Sequence, residues 1–234
     1  MVVGSGMLAK SFYSYKYNDE VVIFASGVSN SKETDSYEFE REKKLLLQVI
    51  KENELNKLIY FSTCSINDNS MSSSPYVKHK ISMESMIQKI CNDYHIFRLP
   101  QVVGYSNSPT IVNYLYKSIT ENIKFVVYKY ATRNLIDVDD VFEISDYLIN
   151  NNLYSNEITN IATTHNCSII DIVSLLERIV DKKATFTIEA SGEKQSIDID
   201  RILAILEERN ILLEGYPNLI IKKYYENRCL DSHP

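Results

Sequence analysis

With 234 residues, the chain can bury a substantial core in one large domain, or in a domain with a small lobe. Its formal net charge is −6 and its Lys and Arg residues are dispersed rather than gathered in a basic run, which excludes nucleic acid and anionic membrane as expected partners. Cys64, Cys91, Cys167 and Cys229 are scattered and form no Cys-x-x-Cys pair. Together with the lack of a leader-like opening or a bilayer-length apolar run, this reads as a reduced, cytoplasmic protein with no metal site.

Met1-Val-Val reads as a strand running into the glycine turn Gly4-Ser-Gly6-Met-Leu-Ala9, with a short helical stretch to about Tyr15. A tight glycine turn between strand and helix lets backbone N–H groups reach a pyrophosphate. Glu20 to Ser26 is an apolar strand closed by Gly27, and Thr34 to Leu55 a long helix with Phe39, Leu46, Val49 and Ile50 on one stripe. The next strand is Lys57 to Ser62. An Asn- and Ser-rich stretch from Asn67 reads as a flexible loop, and Ser74-Pro75 then opens a helix as N-cap and first helical residue. His95 to Leu99 is a strand ending at Pro100. Helices follow at 110–121, 138–150, 168–181 and 198–208, with strands near 124–129, 157–161 and 184–188. The alternation predicts an α/β fold with a Rossmann-like, doubly wound and mostly parallel sheet. Residues 1–150 are expected to form its cofactor-binding core, with cleft-forming segments after 105. Residues 151–234 would add strands and helices to the sheet and to a small substrate lobe.

Tyr76-Val-Lys-His-Lys80 carries the chemistry. Residues four apart share a helix face, so phenol and ammonium project together. A cation beside a tyrosine stabilises phenolate and lowers its pKa, which is the direct route to proton transfer near neutrality. In a chain with 17 tyrosines the spacing alone could also be a solvated helix face. His79, between the two, is expected on the surface by helical rotation.

Six motifs occur in order: the turn at Gly4 to Ala9, Ile23-Phe-Ala-Ser-Gly27, Leu58-Ile-Tyr-Phe-Ser-Thr63, Tyr76-x-x-x-Lys80, Arg98-Leu-Pro-Gln-Val-Val-Gly104 and Arg133-Asn-Leu-Ile-Asp-Val-Asp-Asp140. In these the chain resembles the extended short-chain dehydrogenases of the NAD-dependent epimerase/dehydratase type, which modify sugar nucleotides. The resemblance implies that Tyr76 is the acid/base, that Thr63 binds the same substrate oxygen, and that Lys80 tunes Tyr76 and holds the nicotinamide ribose. It implies NAD or NADP contacts from Gly4, Gly6, Met7, Leu8, Ala25, Ser26, Gly27, Lys80 and Pro100. Gln101 and Arg133 would bind a nucleotide-sugar substrate, Arg133 as the fork on its diphosphate; the alternative for Arg133 is an ion pair with Asp137 or Asp139.

The chain departs from that pattern in three places. The segment before Glu20 is too short for the usual second strand, helix and third strand, so the first strand becomes a sheet edge. No strand-end acid is left for the adenosine ribose, and a second subunit could cover the edge in a homodimer. Cys64-Ser65 follows Thr63 where 4,6-dehydratases carry Asp-Glu, which excludes dehydration as the expected reaction. The Thr63–Tyr76 loop is also short. Cys64 could serve as an epimerisation acid/base or be an inert buried thiol; His165 could touch substrate or be a loop histidine. The implied activity is 4-ketoreduction or 4-epimerisation of a nucleoside-diphosphate sugar, with the lost adenosine segment favouring the reductase. The alternative is a catalytically quiet sugar-nucleotide-binding or regulatory homologue.

Overall fold

The computed structural model describes residues 1–53, 56–211 and 214–230, so Leu55 of the expected second helix lies outside the described residues. The chain begins with β1 (Val2–Val3), α1 (Met7–Ser11), β2 (Val21–Phe24), α2 (Ser36–Glu52), β3 (Lys57–Thr63), α3 (Pro75–Ile90) and β4 (Tyr94–Leu99). It continues through β5 (Gln101–Val103), α4 (Ile111–Thr120), β6 (Phe125–Tyr128), β7 (Thr132–Asp137), α5 (Val138–Asn150) and β8 (Glu157–Asn160). The last elements are β9 (Asn166–Ser168), α6 (Ile169–Val180), β10 (Phe186–Glu189), α7 (Leu203–Glu208) and α8 (Tyr216–Leu230). No helix among the described residues is long and apolar enough to cross a membrane.

Two units result, one from Met1–Leu99 with Val138–Ile161 and the other from the described parts of Pro100–Asp137 with Ala162–Pro234. The chain enters each unit twice. Strand β8 therefore belongs with the first unit and residues 100–137 with the second, a different partition from 1–150 and 151–234.

The first unit is a Rossmann-like α/β layer structure whose five strands lie in the order β1-β2-β3-β4-β8, all parallel. Its central strands β2, β3 and β4 are buried along nearly their whole length, as in a sheet covered on both sides. Val22, Phe24, Leu58, Tyr60, Tyr94 and Ile96 face Leu46 and Val49 of α2 and Met83 and Ile87 of α3. On the opposite face Phe12 packs against Phe61 at 5.1 Å and against Phe142 of α5 at 5.2 Å between ring centroids. A fully buried side chain such as Phe12 contributes about 1.5–3 kcal/mol. As expected from the short segment before Glu20, β1 is a sheet edge, and only a 3-10 turn at Tyr13–Tyr17 separates α1 from β2.

In the second unit, β7 pairs with β5 in parallel and with β9 antiparallel, while β6 pairs with β10 in parallel. Helices α4 and α6 start on side-chain caps, Thr110 accepting from the Asn113 N–H and Ser168 from the Asp171 N–H. Helix α8 and strands β5, β7 and β9 are not among the elements expected from sequence. Asp137, at the end of β7, secures α8 by accepting from Lys223 Nζ at 2.7 Å and Tyr224 OH at 2.5 Å, while its own N–H donates to Tyr216 OH at 2.9 Å.

Candidate active site

The C-terminal end of β3 delivers Thr63, and α3 begins twelve positions later at Pro75. Ser74 occupies the N-cap position without a side-chain cap bond, so Pro75, with its fixed φ, supplies the start signal. A 3-10 turn at Cys64–Asn67 follows Thr63, and the stretch from Asn67 expected to be a flexible loop contains a second 3-10 turn at Asn69–Met71. Thr63 Oγ1 accepts from the Ser65 N–H at 3.1 Å and Asp68 Oδ1 from the Ser70 N–H at 3.0 Å. Along α3, Tyr76, Lys80 and Glu84 recur every four residues and all three are buried. The Tyr76 hydroxyl is hydrogen-bonded to the Thr63 side chain. Thr63, Tyr76 and Lys80 thus come together in the first unit.

Lys80 does not stand alone beside the phenol. Its Nζ donates to Glu42 Oε1 at 2.9 Å and to Tyr60 OH at 3.1 Å. Glu42, on α2, is fully buried and takes up two more donors at Oε1 and Oε2: Tyr60 OH at 2.6 Å and the Val28 N–H at 2.7 Å. His79 Nε2 lies 2.9 Å from Glu42 Oε2, and its ring stacks on Phe39 at 4.7 Å. His79 is therefore part of a buried network rather than the surface residue expected from helical rotation, because α2 packs across that side of α3. Burial alone would push the Glu42 carboxyl up, but the Lys80 charge and the His79, Tyr60 and Val28 hydrogen bonds outweigh it and hold the pKa at about 2.

Burial raises the Tyr76 pKa above its ordinary value, while the Lys80 charge and the Thr63 hydrogen bond pull it down and the Glu42 charge works against them. The net direction is upward, opposite to the lowering expected from a bare Tyr/Lys pair. The reason is first that the phenol is buried, which disfavours its charged form more than Lys80 and Thr63 favour it, and second that the ammonium faces a carboxylate whose charge works in the same direction as burial.

A second buried carboxylate fixes the strand ends beneath the site. Glu84 receives Arg98 Nε at 2.9 Å and Nη2 at 2.6 Å in a bidentate pair, and Ser62 Oγ at 2.5 Å. Cys64 donates its thiol to the Arg98 carbonyl at 3.3 Å, and burial pushes its pKa up to about 12. Of the two sequence readings of Cys64, the inert buried thiol is the one that fits.

At the glycine turn, Gly4 has φ +129, and a Cβ there would fall 2.5 Å from the Ala25 carbonyl oxygen, so glycine permits the close approach of β1 to β2. A Cβ on Gly6 meets no atom within 4 Å, leaving open space above the turn. Met7, Leu8, Ala25 and Ser26 flank that turn and are half-buried. Gly27 faces inward instead: its Cβ would lie 2.8 Å from Lys80 Nζ and 2.9 Å from Glu42 Oε1.

Pro100, Gln101 and Arg133 belong to the second unit. Gln101 pairs with Leu135, which puts Gln101 on the same face of the β5–β7 pair as Arg133, two residues before Leu135. Arg133 Nη1 donates to the Thr132 carbonyl at 2.7 Å, while Asp137 binds Lys223 and Tyr224. His165 is a loop residue whose Nδ1 lies 3.0 Å from Thr164 Oγ1.

For a nicotinamide dinucleotide, the donor set fits at one end. Thr63, Tyr76 and Lys80 converge, and the open Gly6 turn leaves room for a pyrophosphate. At the other end, among the described residues, no strand lies outside β1 to carry an adenosine contact.

Sequence reasoning missed Glu42, Tyr60 and Glu84. The signals were present: Glu42 falls on the Phe39, Leu46, Val49 stripe of α2, and Glu84 continues the four-residue spacing of Tyr76 and Lys80. A carboxylate on an apolar stripe has to find donors when it is buried.

Residues 8–162 match the NAD dependent epimerase/dehydratase family. Among the curated proteins, no sequence matches the chain. Solved structures similar to it include RMD from Pseudomonas aeruginosa complexed with NADPH, at 14% identity and TM-score 0.73, covering 97% of this chain and 98% of that one. The UDP-glucose 4-epimerase of Thermotoga maritima with UDP-glucose is 17% identical with TM-score 0.71, covering 97% and 83%. A UDP-glucuronic acid 4-epimerase from Bacillus cereus is 19% identical with TM-score 0.70, covering 89% and 76%. At these identities the likeness is one of fold.

Proposed function

This chain belongs to the NAD dependent epimerase/dehydratase family, and from that premise we propose that it is an NAD(P)-dependent reductase or epimerase of a nucleoside-diphosphate sugar. The observation that carries the reading is the buried set of Thr63, Tyr76 and Lys80 at the end of β3 and the start of α3, with the Thr63 side chain and the Lys80 charge both acting on the Tyr76 phenol. A bound nicotinamide supplies hydride transfer to or from a sugar carbon. Tyr76 exchanges the matching proton with the sugar oxygen, and Thr63 hydrogen-bonds that oxygen and the phenol. Lys80 fixes the ribose end of the cofactor. The turn at Gly4, Gly6, Met7 and Leu8 passes under its pyrophosphate, and Ala25, Ser26 and Pro100 complete the cofactor contacts. Gln101 and Arg133 bind the substrate, Arg133 through its guanidinium fork on the diphosphate.

Reduction is favoured over epimerisation. An epimerase retains its cofactor through the cycle, and a sheet that ends at β1 offers less to hold adenosine than a longer one. The direct test is mass spectrometry of the purified chain for bound NAD(H) or NADP(H), with thermal shifts for each. Binding of at least one is expected. A nucleotide sugar that stabilises the chain while neither cofactor does would replace the enzyme reading with the catalytically quiet one.

A further inference from the structure

Glu42 has no counterpart among the expected site residues, yet it makes more polar contacts than any of them. It is 0% exposed, and four groups converge on its two oxygens: Lys80, Tyr60, His79 and the Val28 N–H. Three different segments supply those groups: β3, α3 and the turn after β2. The packing leaves no slack, since even a methyl group on Gly27 would press on both Lys80 Nζ and Glu42 Oε1.

We infer that Glu42 is a positioning residue for Tyr76: by holding Lys80 and compensating its charge, it keeps Tyr76 a neutral phenol that serves as proton donor. The inference rests on the assignment of Tyr76 made above and adds the protonation state in which it works. An ammonium alone, in a buried site, favours phenolate and makes a base; the Glu42 carboxylate 2.9 Å from that ammonium offsets part of its effect and adds to the burial that already disfavours phenolate. The remaining titratable groups acting on Tyr76 are Glu42 itself and Cys64, and neither stabilises phenolate. The Thr63 hydroxyl is the one uncharged group that does. In the step so described, the Tyr76 O–H bond breaks and a new O–H bond forms on the substrate oxygen. Tyr76 then recovers a proton from water. A donor is the state required at a carbonyl oxygen that gains charge, so the geometry favours the reducing direction.

The test is titration of Tyr76 in the full chain without cofactor or substrate, by NMR of ring-carbon-labelled tyrosine with the resonance assigned through Tyr76→Phe. In the wild type, Tyr76 is expected to stay protonated to at least the ordinary tyrosine value of about 10. In Glu42→Gln, which leaves Lys80 uncompensated, the midpoint is expected to fall by about one pH unit or more. Glu42→Asp should restore part of that shift. A purely structural role for Glu42 would lower the melting temperature and leave the midpoint in place. Wild-type Tyr76 titrating clearly below the ordinary value, or a midpoint in Glu42→Gln that is unchanged or raised, overturns the inference. Should Glu42→Gln not fold, the wild-type titration alone decides. Because the readout involves no turnover, its failure leaves the proposed reaction standing, and a chain that binds neither cofactor can still show the shift.

Discussion

His95 and Glu42 are both ionisable and both fully buried, yet the fold treats them in opposite ways. Glu42 is surrounded by donors, whereas neither ring nitrogen of His95 has a hydrogen-bond partner among the described residues; the ring stacks on Phe97 at 5.4 Å. Burial first, and then the charge of Lys57, pushes His95 down to about 4, with Asp93 acting weakly the other way. The folded chain therefore binds fewer protons than the unfolded one between about 6.5 and 4. The contribution of neutral His95 is complete above 6.5 and is lost as pH falls toward 4. Glu42, held at about 2 against an ordinary 4.5, contributes fully above 4.5 and loses its effect below that. The two windows separate, so the loss of stability between pH 6.5 and 4.5 is assigned to His95. Replacing His95 with Leu should flatten urea-unfolding stability across that interval, by on the order of 2–3 kcal/mol at its acid end, and should cost little at pH 8. An unchanged slope in His95→Leu would place the titration elsewhere.

At the level of elements, the two glycines of the first turn separate folding from binding. Gly4→Ala drives a methyl into the β2 backbone at a left-handed φ, and should destabilise the chain by roughly 2 kcal/mol or more. Gly6→Ala adds its methyl to open space, so the melting temperature should hold while the thermal shift given by NAD(H) or NADP(H) shrinks. An undiminished shift in Gly6→Ala would remove the turn from the cofactor site. Helices α2, α3 and α5 were legible because apolar residues recur at helical spacing, and β2 to β4 because each carries a run of apolar, β-favouring residues. Strands β5 and β9 have three residues each, too few for any alternation to register. Strand β7 reads as polar because its partners come from far along the chain: Asn134 Nδ2 donates to the Thr163 carbonyl at 2.7 Å, and Asp137 anchors α8. In α8 the buried face includes Tyr224 and Tyr225, whose hydroxyls reach Asp137 and Asn113; such tyrosines resemble surface residues until those acceptors are known.

Across the whole molecule, the order of motifs along residues 1–150 disclosed the family and the sheet, including the edge position of β1. The meeting of Thr63, Tyr76 and Lys80 was legible because a helix face and a strand end are local features. The electrostatics were not, since Glu42 lies 38 residues from Lys80 in sequence and meets it only through the packing of α2 on α3. Nor does either unit follow a single boundary, because the chain returns to the first through α5 and β8 after building part of the second. The central claim is that Tyr76 provides the proton for a nicotinamide-dependent reaction on a sugar nucleotide. It is tested most directly by following the absorbance of NADH and NADPH with a panel of 4-keto nucleotide sugars, for wild type and Tyr76→Phe side by side. The account predicts oxidation of one reduced cofactor by the wild-type chain and a loss of about 10²-fold or more in Tyr76→Phe with unchanged cofactor binding. Turnover in Tyr76→Phe equal to that of the wild type would contradict it.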